Sequence, residues 1–331
     1  MMNNSSNNCE VPHERDGTFY PAIYILVTVI SIPANGVSLY VACLQARKKN
    51  EIGIYLFNLS LADLLYTLTL PLWTYYIMAH NNWNLPVVLC SISEFFKYTN
   101  FYTSAGFLTC ICVDRYLAVV HPLHFPQLRT RRSAVKISVL VWAAAILSHI
   151  VILVCDETQL DLSQHRLCYD IYPLEAWKAC FYMAQTCVWH LAPLTIMVLS
   201  YQRIYTAVRH NQATADREKK RIQKLLIGIV CTFVLCFTPY HIVLLTRSIG
   251  EPNNCEFAQW ISHPFKVTLA LASLNCIADP VLYCFVSETG RHDILNCCAE
   301  QRKASQPPHE GCKMSVLSKQ TLISDDSAPP V

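Results

Sequence analysis

The sequence predicts an all-α membrane protein: a seven-transmembrane helix bundle with a short amphipathic eighth helix. Three observations predict it. The 331 residues hold seven long apolar runs, the connections between them alternate in basic content, and charge is scarce. Only 15% of residues are Asp, Glu, Lys or Arg, against roughly 25% in an ordinary soluble domain. So low a charge excludes disordered, collagen-like and coiled-coil chains. A net charge of +3, from 26 basic and 23 acidic residues, is too balanced for a nucleic-acid binder.

A spanning helix needs about 20 mainly apolar residues. The runs 20–44, 54–79, 85–119, 134–155, 176–208, 225–249 and 265–286 meet this. They form one membrane domain, 20–286, behind an arm, 1–19. An amphipathic stretch, 287–298, and a tail, 299–331, follow. Lys and Arg favour the cytoplasmic side. The first connection carries Arg47, Lys48 and Lys49, and the third Arg129, Arg131 and Arg132. The fifth carries Arg209, Arg217, Lys219, Lys220 and Arg221. The N-terminus is therefore expected outside and the C-terminus inside. Asn3 and Asn4 stand in Asn-x-Ser sequons, which suit a glycosylated outer arm. No charged leader with a small-residue cleavage site precedes the first run, which is expected to act as a signal anchor.

Most of the 17 cysteines lie inside the runs, where a thiol is a small apolar filler. Cys9, Cys90, Cys168 and Cys255 lie on the outer side, where two disulfides are expected. Three pairings are open; Cys90–Cys168 with Cys9–Cys255 is the favoured set. Cys297 and Cys298 follow the amphipathic stretch and are palmitoylation candidates. The Ser- and Pro-rich tail is expected to be disordered, with Ser315, Ser318, Thr321, Ser324 and Ser327 as phosphate acceptors.

Charge inside a bilayer is costly and marks function. Asp63 stands mid-run in the second span and Asp279 in the seventh. Asp114-Arg115-Tyr116 closes the third. Lys97 precedes Arg115 by 18 residues on one helix, about 27 Å at 1.5 Å per residue. Lys97 is thus expected near the outer mouth and Arg115 at the inner face.

These residues carry a resemblance. The chain resembles the rhodopsin-like G-protein-coupled receptors from about Tyr20 to Cys298. Asn35, Asp63, Asp114-Arg115-Tyr116, Trp142, Pro193 and Tyr201 match the signatures of the first five helices. Phe237-Thr-Pro239 matches the sixth, with Phe237 where most members have Trp. Asp279-Pro280-Val-Leu-Tyr283 matches the seventh, with Asp where many have Asn. The resemblance implies a multi-pass plasma-membrane receptor coupled to a heterotrimeric G protein. It also implies arrestin and receptor kinases acting at the tail. Arg115 would be held by Asp114 at rest and released toward Tyr201 on activation. Pro239 removes a helix hydrogen bond, so the sixth helix would be the element that moves.

The closer resemblance is to the proton-sensing group of that family. It is carried by Asn50-Glu-Ile-Gly-Ile-Tyr-Leu, Tyr169-Asp-Ile-Tyr-Pro-Leu-Glu-Ala-Trp177 and Leu274-Asn-Cys-Ile-Ala-Asp-Pro. It implies extracellular protons as the stimulus, and one branch of the group implies Gs and a rise in cyclic AMP. Histidine fits the task, since its unperturbed pKa is about 6.5. The outer candidates are His13, His80, His165 and His263, with His241 expected to face the outer cavity from the sixth span. The bland reading of each loop histidine is a solvated residue. Cys9 and Cys168 would pin His13 and His165.

Asp63 and Asp279 are the carboxylate candidates, expected to face each other with Ser104 and Asn275 nearby. Many related receptors bind a sodium ion there, so sodium is the one small cofactor in view. Protonation would discharge the pair and let helices repack. Two positions depart from the group. Ala145 stands where its members carry a helix-four Glu, and Lys266 where they carry a histidine. Lys97, Arg247 and Lys266 offer a rival reading, a receptor for an anionic lysolipid or another anionic ligand, with Glu94 one turn from Lys97 as its neutraliser. A proton-coupled transporter is the rival from another class. No nucleophile–base pair, phosphate loop or metal motif points to an enzyme.

Overall fold

A computed structural model describes residues 9, 19–48, 50–155, 168, 172–210 and 216–282. The chain divides into two units, 1–291 and 292–331, and every described residue belongs to the first. Asn3, Asn4, His13, His165, Tyr283, Cys297 and Cys298 lie outside the described residues. So do most of the expected arm, the eighth helix and the tail.

All described regular structure is helical. The helices are α1 (Phe19–Arg47), α2 (Glu51–Thr67), α3 (Leu70–Met78), α4 (Val87–Val120), α5 (Arg131–Cys155), α6 (Ala176–Thr186), α7 (Ala192–His210), α8 (Asp216–Gly250), α9 (Cys255–Ser273) and α10 (Asn275–Val281). A π-helical turn, Cys187–Leu191, joins α6 to α7. Six helices are long and apolar enough to cross a membrane, counting α2 with α3 and α6 with α7 as single spans.

The seventh span departs from the expected 265–286. Its helix α9 starts at Cys255, because polar residues open it: Asn254 caps it by accepting from the Phe257 N–H at 3.0 Å, and Glu256 sits in its first turn. Carboxylates and amide caps favour a helix start, yet with Gln259, Ser262 and His263 they depress hydropathy over 255–264, so an apolar window misses the first ten residues, nearly three turns.

The burial pattern is that of a membrane bundle. On α1 the buried seam holds Ser31, Asn35, Ser38 and Gln45, whereas Val29 and Leu26 point outward, 66% and 53% exposed. Polar groups face inward because lipid cannot satisfy them. Asn35 donates to the Cys276 carbonyl at 2.7 Å and to Ser31 Oγ at 2.8 Å, tying α1 to α10. Trp142 Nε1 donates to Asn58 Oδ1 at 2.9 Å, tying α5 to α2.

Each helix break has a local cause. Pro71 opens α3 after the turn at Leu68 and Thr69. The π-helical turn precedes Pro193, which lacks an N–H. Pro239, by contrast, lies inside the unbroken α8.

Candidate functional site

Two disulfides mark one end of the bundle: Cys90 is bridged to Cys168, and Cys9 to Cys255. At this disulfide end a cavity opens, about 1130 Å³ with the solvent at its mouth. Trp73, Tyr98, Tyr182 and Phe265 give it an aromatic wall. Its cations are already engaged. Lys97 Nζ lies 2.6 Å from Glu94 Oε2, 4.0 Å from the Trp73 ring centre and 5.0 Å from that of Tyr98. Arg247 is paired with Glu251, with Nη2 donating to Oε1 at 3.1 Å. Lys178 Nζ lies 3.4 Å from Glu175 Oε2. Lys266 also lines the cavity.

The histidines are dispersed. His80 is exposed in the turn after α3, with φ at 55°. His263 is exposed on α9, and its carbonyl accepts from the Tyr20 hydroxyl at 3.5 Å. His241 corrects an expectation, since it does not line the outer cavity. It is buried between helices: its ring stacks on His190 at 4.5 Å, and its Nδ1 lies 3.3 Å from Thr186 Oγ1. His190 stands in the π-helical turn, and the two rings meet where that turn faces α8. His190 also stacks flat on Phe233 at 5.3 Å.

Below the cavity a belt of rings closes the bundle. Phe101 meets Phe237 at 5.8 Å, Tyr240 at 5.6 Å and Tyr66 at 5.9 Å. Under the belt lie the carboxylates. Asp63 and Asp279 are buried, at 0% and 1% exposure. Asn100 Nδ2 donates to Asp63 Oδ1 at 2.8 Å and approaches Ser104 Oγ at 3.4 Å. Asn275 Nδ2 donates to Ser104 Oγ at 3.3 Å. Among the described residues, Asp63 Oδ2 and both oxygens of Asp279 meet no hydrogen-bond donor in good geometry. The cluster is thus polar, acidic in composition and buried.

At the opposite end Arg115 Nη2 donates to Asp114 Oδ2 at 2.6 Å and Nε at 3.1 Å. Arg129 Nε also reaches Asp114, at 3.5 Å from Oδ1. The Tyr116 hydroxyl lies 3.0 Å from His121 Nε2. Tyr201 is half-buried, its ring 6.2 Å from that of Tyr205.

Three residues escaped the sequence reading. Asn100 carries no charge, so it did not stand out, although it is one turn from Ser104. Arg129 was counted only as a loop charge. Glu251 lies beyond the expected sixth run, 225–249, while its spacing of four from Arg247 is an ion-pair signal on a helix.

A membrane bundle with an Asp–Arg pair closing one end, an aromatic belt and an acidic midpoint defines a receptor. The chain belongs to the 7 transmembrane receptor (rhodopsin family), whose model matches residues 34–283. It is a multi-pass membrane protein that couples to G proteins and is not an enzyme. It is 46% identical to G-protein coupled receptor 65 of Homo sapiens, over 96% of this chain and 98% of that one. It is 43% identical to G-protein coupled receptor 68 of Homo sapiens, over 88% and 80%. It is 32% identical to Lysophosphatidic acid receptor 6 of Gallus gallus, over 86% and 95%.

Proposed function

We propose that this receptor is activated by extracellular acid and signals through Gs to raise cyclic AMP. The disulfide end faces outside in this reading. The observation that carries it is the buried Asp63–Asp279 cluster, where three carboxylate oxygens meet no donor in good geometry among the described residues. A buried anion without a partner is expensive. A proton entering the cluster removes charge and the reason for the helices to stay apart. The stacked His190–His241 pair adds two titratable rings next to the moving helix α8. Asp63, Asp279 and the outer histidines act together in this reading. Moving a receptor from 1:99 to 99:1 takes about 5.5 kcal/mol, whereas one group whose pKa differs by one unit between states supplies about 1.4 kcal/mol. Acid favours whichever state binds protons more tightly.

The anionic-lysolipid reading is supported by the name of a relative, Lysophosphatidic acid receptor 6. The ion pairs count against it, because Glu94 and Glu251 occupy Lys97 and Arg247.

Cyclic AMP and calcium in cells stepped from pH 8 to pH 6 in lipid-free buffer test the proposal, beside the Arg115→Ala variant. A rise on acidification that Arg115→Ala removes supports it. A flat response from receptor present at the surface overturns the acid reading and favours the lipid.

A further inference from the structure

We infer that Glu251 is a positioning residue: its buried pair with Arg247 ties the loop segment 172–174 to α8 and holds α8 in the resting arrangement. Glu251 has 0% exposure and Arg247 7%. The Glu251 carboxylate accepts from Arg247 Nε, from Arg247 Nη2 at 3.1 Å and from the Leu174 N–H at 2.7 Å. The Arg247 guanidinium lies 4.6 Å from the Tyr172 ring centre and 4.5 Å from that of Phe265. One carboxylate thus joins the loop to α8, and one guanidinium joins α8 to α9.

The loop itself is anchored elsewhere. Its Cys168 end is bridged to Cys90 on α4. The Tyr172 carbonyl accepts from the Cys9 N–H at 3.1 Å, and Cys9 is bridged to Cys255 at the start of α9. Segment 172–174 is thus tied to the start of α9 through Cys9, and the Leu174 N–H on Glu251 and the Tyr172 ring on Arg247 fasten it to the end of α8.

Arg247 lies eight residues beyond Pro239 on the same helix, about 12 Å along its axis. If α8 swings about Pro239 to open the opposite end, the arm carrying Arg247 tilts the other way. The pair demands a fork, two ring faces and a backbone N–H at once. Hydrogen bonds weaken steeply when displaced or bent, and an unpaired buried charge is strongly unfavourable. Arg247 and Glu251 share one helical turn, with the Glu251 N–H donating to the Arg247 carbonyl at 2.9 Å, and move together. What a tilt breaks is the bond from the Leu174 N–H and the contacts with the Tyr172 and Phe265 rings, all of them made in the arrangement seen here, in which Arg115 is on Asp114. Together they therefore favour rest over activity, as contacts made better in one state must. The inference rests on the receptor class and the Pro239 pivot, not on acid as the stimulus.

The test is basal second-messenger output at pH 8, divided by surface receptor, for Glu251→Gln and Arg247→Lys in the full chain. Glu251→Gln keeps the acceptor for Leu174 and removes the charge. Arg247→Lys keeps the charge and removes the fork. Both are expected to raise basal output at least about fivefold, the lower range of coupling between sites, and Arg115→Ala in the same chain is expected to abolish the rise. Basal output per receptor equal to the unsubstituted chain overturns the inference. Variants that stay inside the cell even at lowered temperature assign the pair to folding alone and overturn it too. A raised basal output in a receptor that ignores acid would support the inference while sinking the acid reading.

Discussion

The His190 and His241 rings stack 4.5 Å apart, with planes 18° from parallel, across the seam between the π-helical turn and α8. Thr186, Phe233 and Tyr240 adjoin them, the Tyr240 ring lying edge-on to His241 at 5.0 Å. Both imidazoles thus sit in a seam between helices rather than in a loop. His241→Phe keeps a ring in the stack and removes one titratable group. Its expected result is normal surface level with an acid response that is shallower between pH 8 and pH 6, yet present. Complete loss of the response, with receptor still at the surface, would show that one group carries the sensing.

The exposed candidates should matter less. His80 and His263 stand in solvent, so a proton on either is largely screened. His80→Gln and His263→Gln are each expected to change cyclic AMP at pH 6.5 by less than about twofold, a small share of the coupling that links distinct sites. A larger effect from either would move the sensor to the loops.

The carboxylate cluster makes the opposite prediction. Asp63→Asn and Asp279→Asn each discharge the site permanently, as a proton would. Each is expected to raise output at pH 8 and to shrink the further gain at pH 6, because the change that acid brings has already been made. The pH–response curve reads this directly. An unaltered curve in both variants would remove the cluster from the mechanism.

At the opposite end, Asp114 holds two cations. Removing the farther one should loosen the nearer only slightly. Partly exposed pairs of this kind contribute about 0.2–1 kcal/mol, so Arg129→Gln is expected to raise basal output by no more than about fivefold. Arg115→Ala removes the coupling cation itself and is expected to silence the G-protein response at every pH.

Stability can be tested where backbones meet. A Cβ on Gly53 would lie 2.6 Å from the Ala46 backbone nitrogen, whereas one on Gly36 meets nothing within 4 Å. Gly53→Ala is expected to cost about 1–3 kcal/mol, as overpacking does, and to lower the melting temperature of purified receptor. Gly36→Ala is the control and should leave it unchanged or slightly raised, since Ala favours a helix.

Much of this protein was legible from residues alone. The spans, their order and the positions of Asp63, Asp279 and Asp114-Arg115 follow from apolar run length and from the cost of charge in a bilayer. Those are local properties, set by the chain and its solvent. The start of α9 was not legible, because Asn254 and Glu256 stabilise a helix end by capping, which hydropathy does not register. Nor was the place of His241, because its partners His190 and Thr186 come from a segment some fifty residues away in the chain.

The sequence by itself determined that this is a seven-helix membrane receptor and which ionisable groups it owns. Only the tertiary structure decided whom each group meets. It paired Arg247 with Glu251, filling a cation that the sequence leaves open to a ligand, and it bore out the pairing of Lys97 with Glu94 that their spacing predicts. It set Asn100 against Asp63 and buried Asp279 beside Asn275. Pairing depends on which helix faces touch, and that is fixed by packing among segments far apart in the chain.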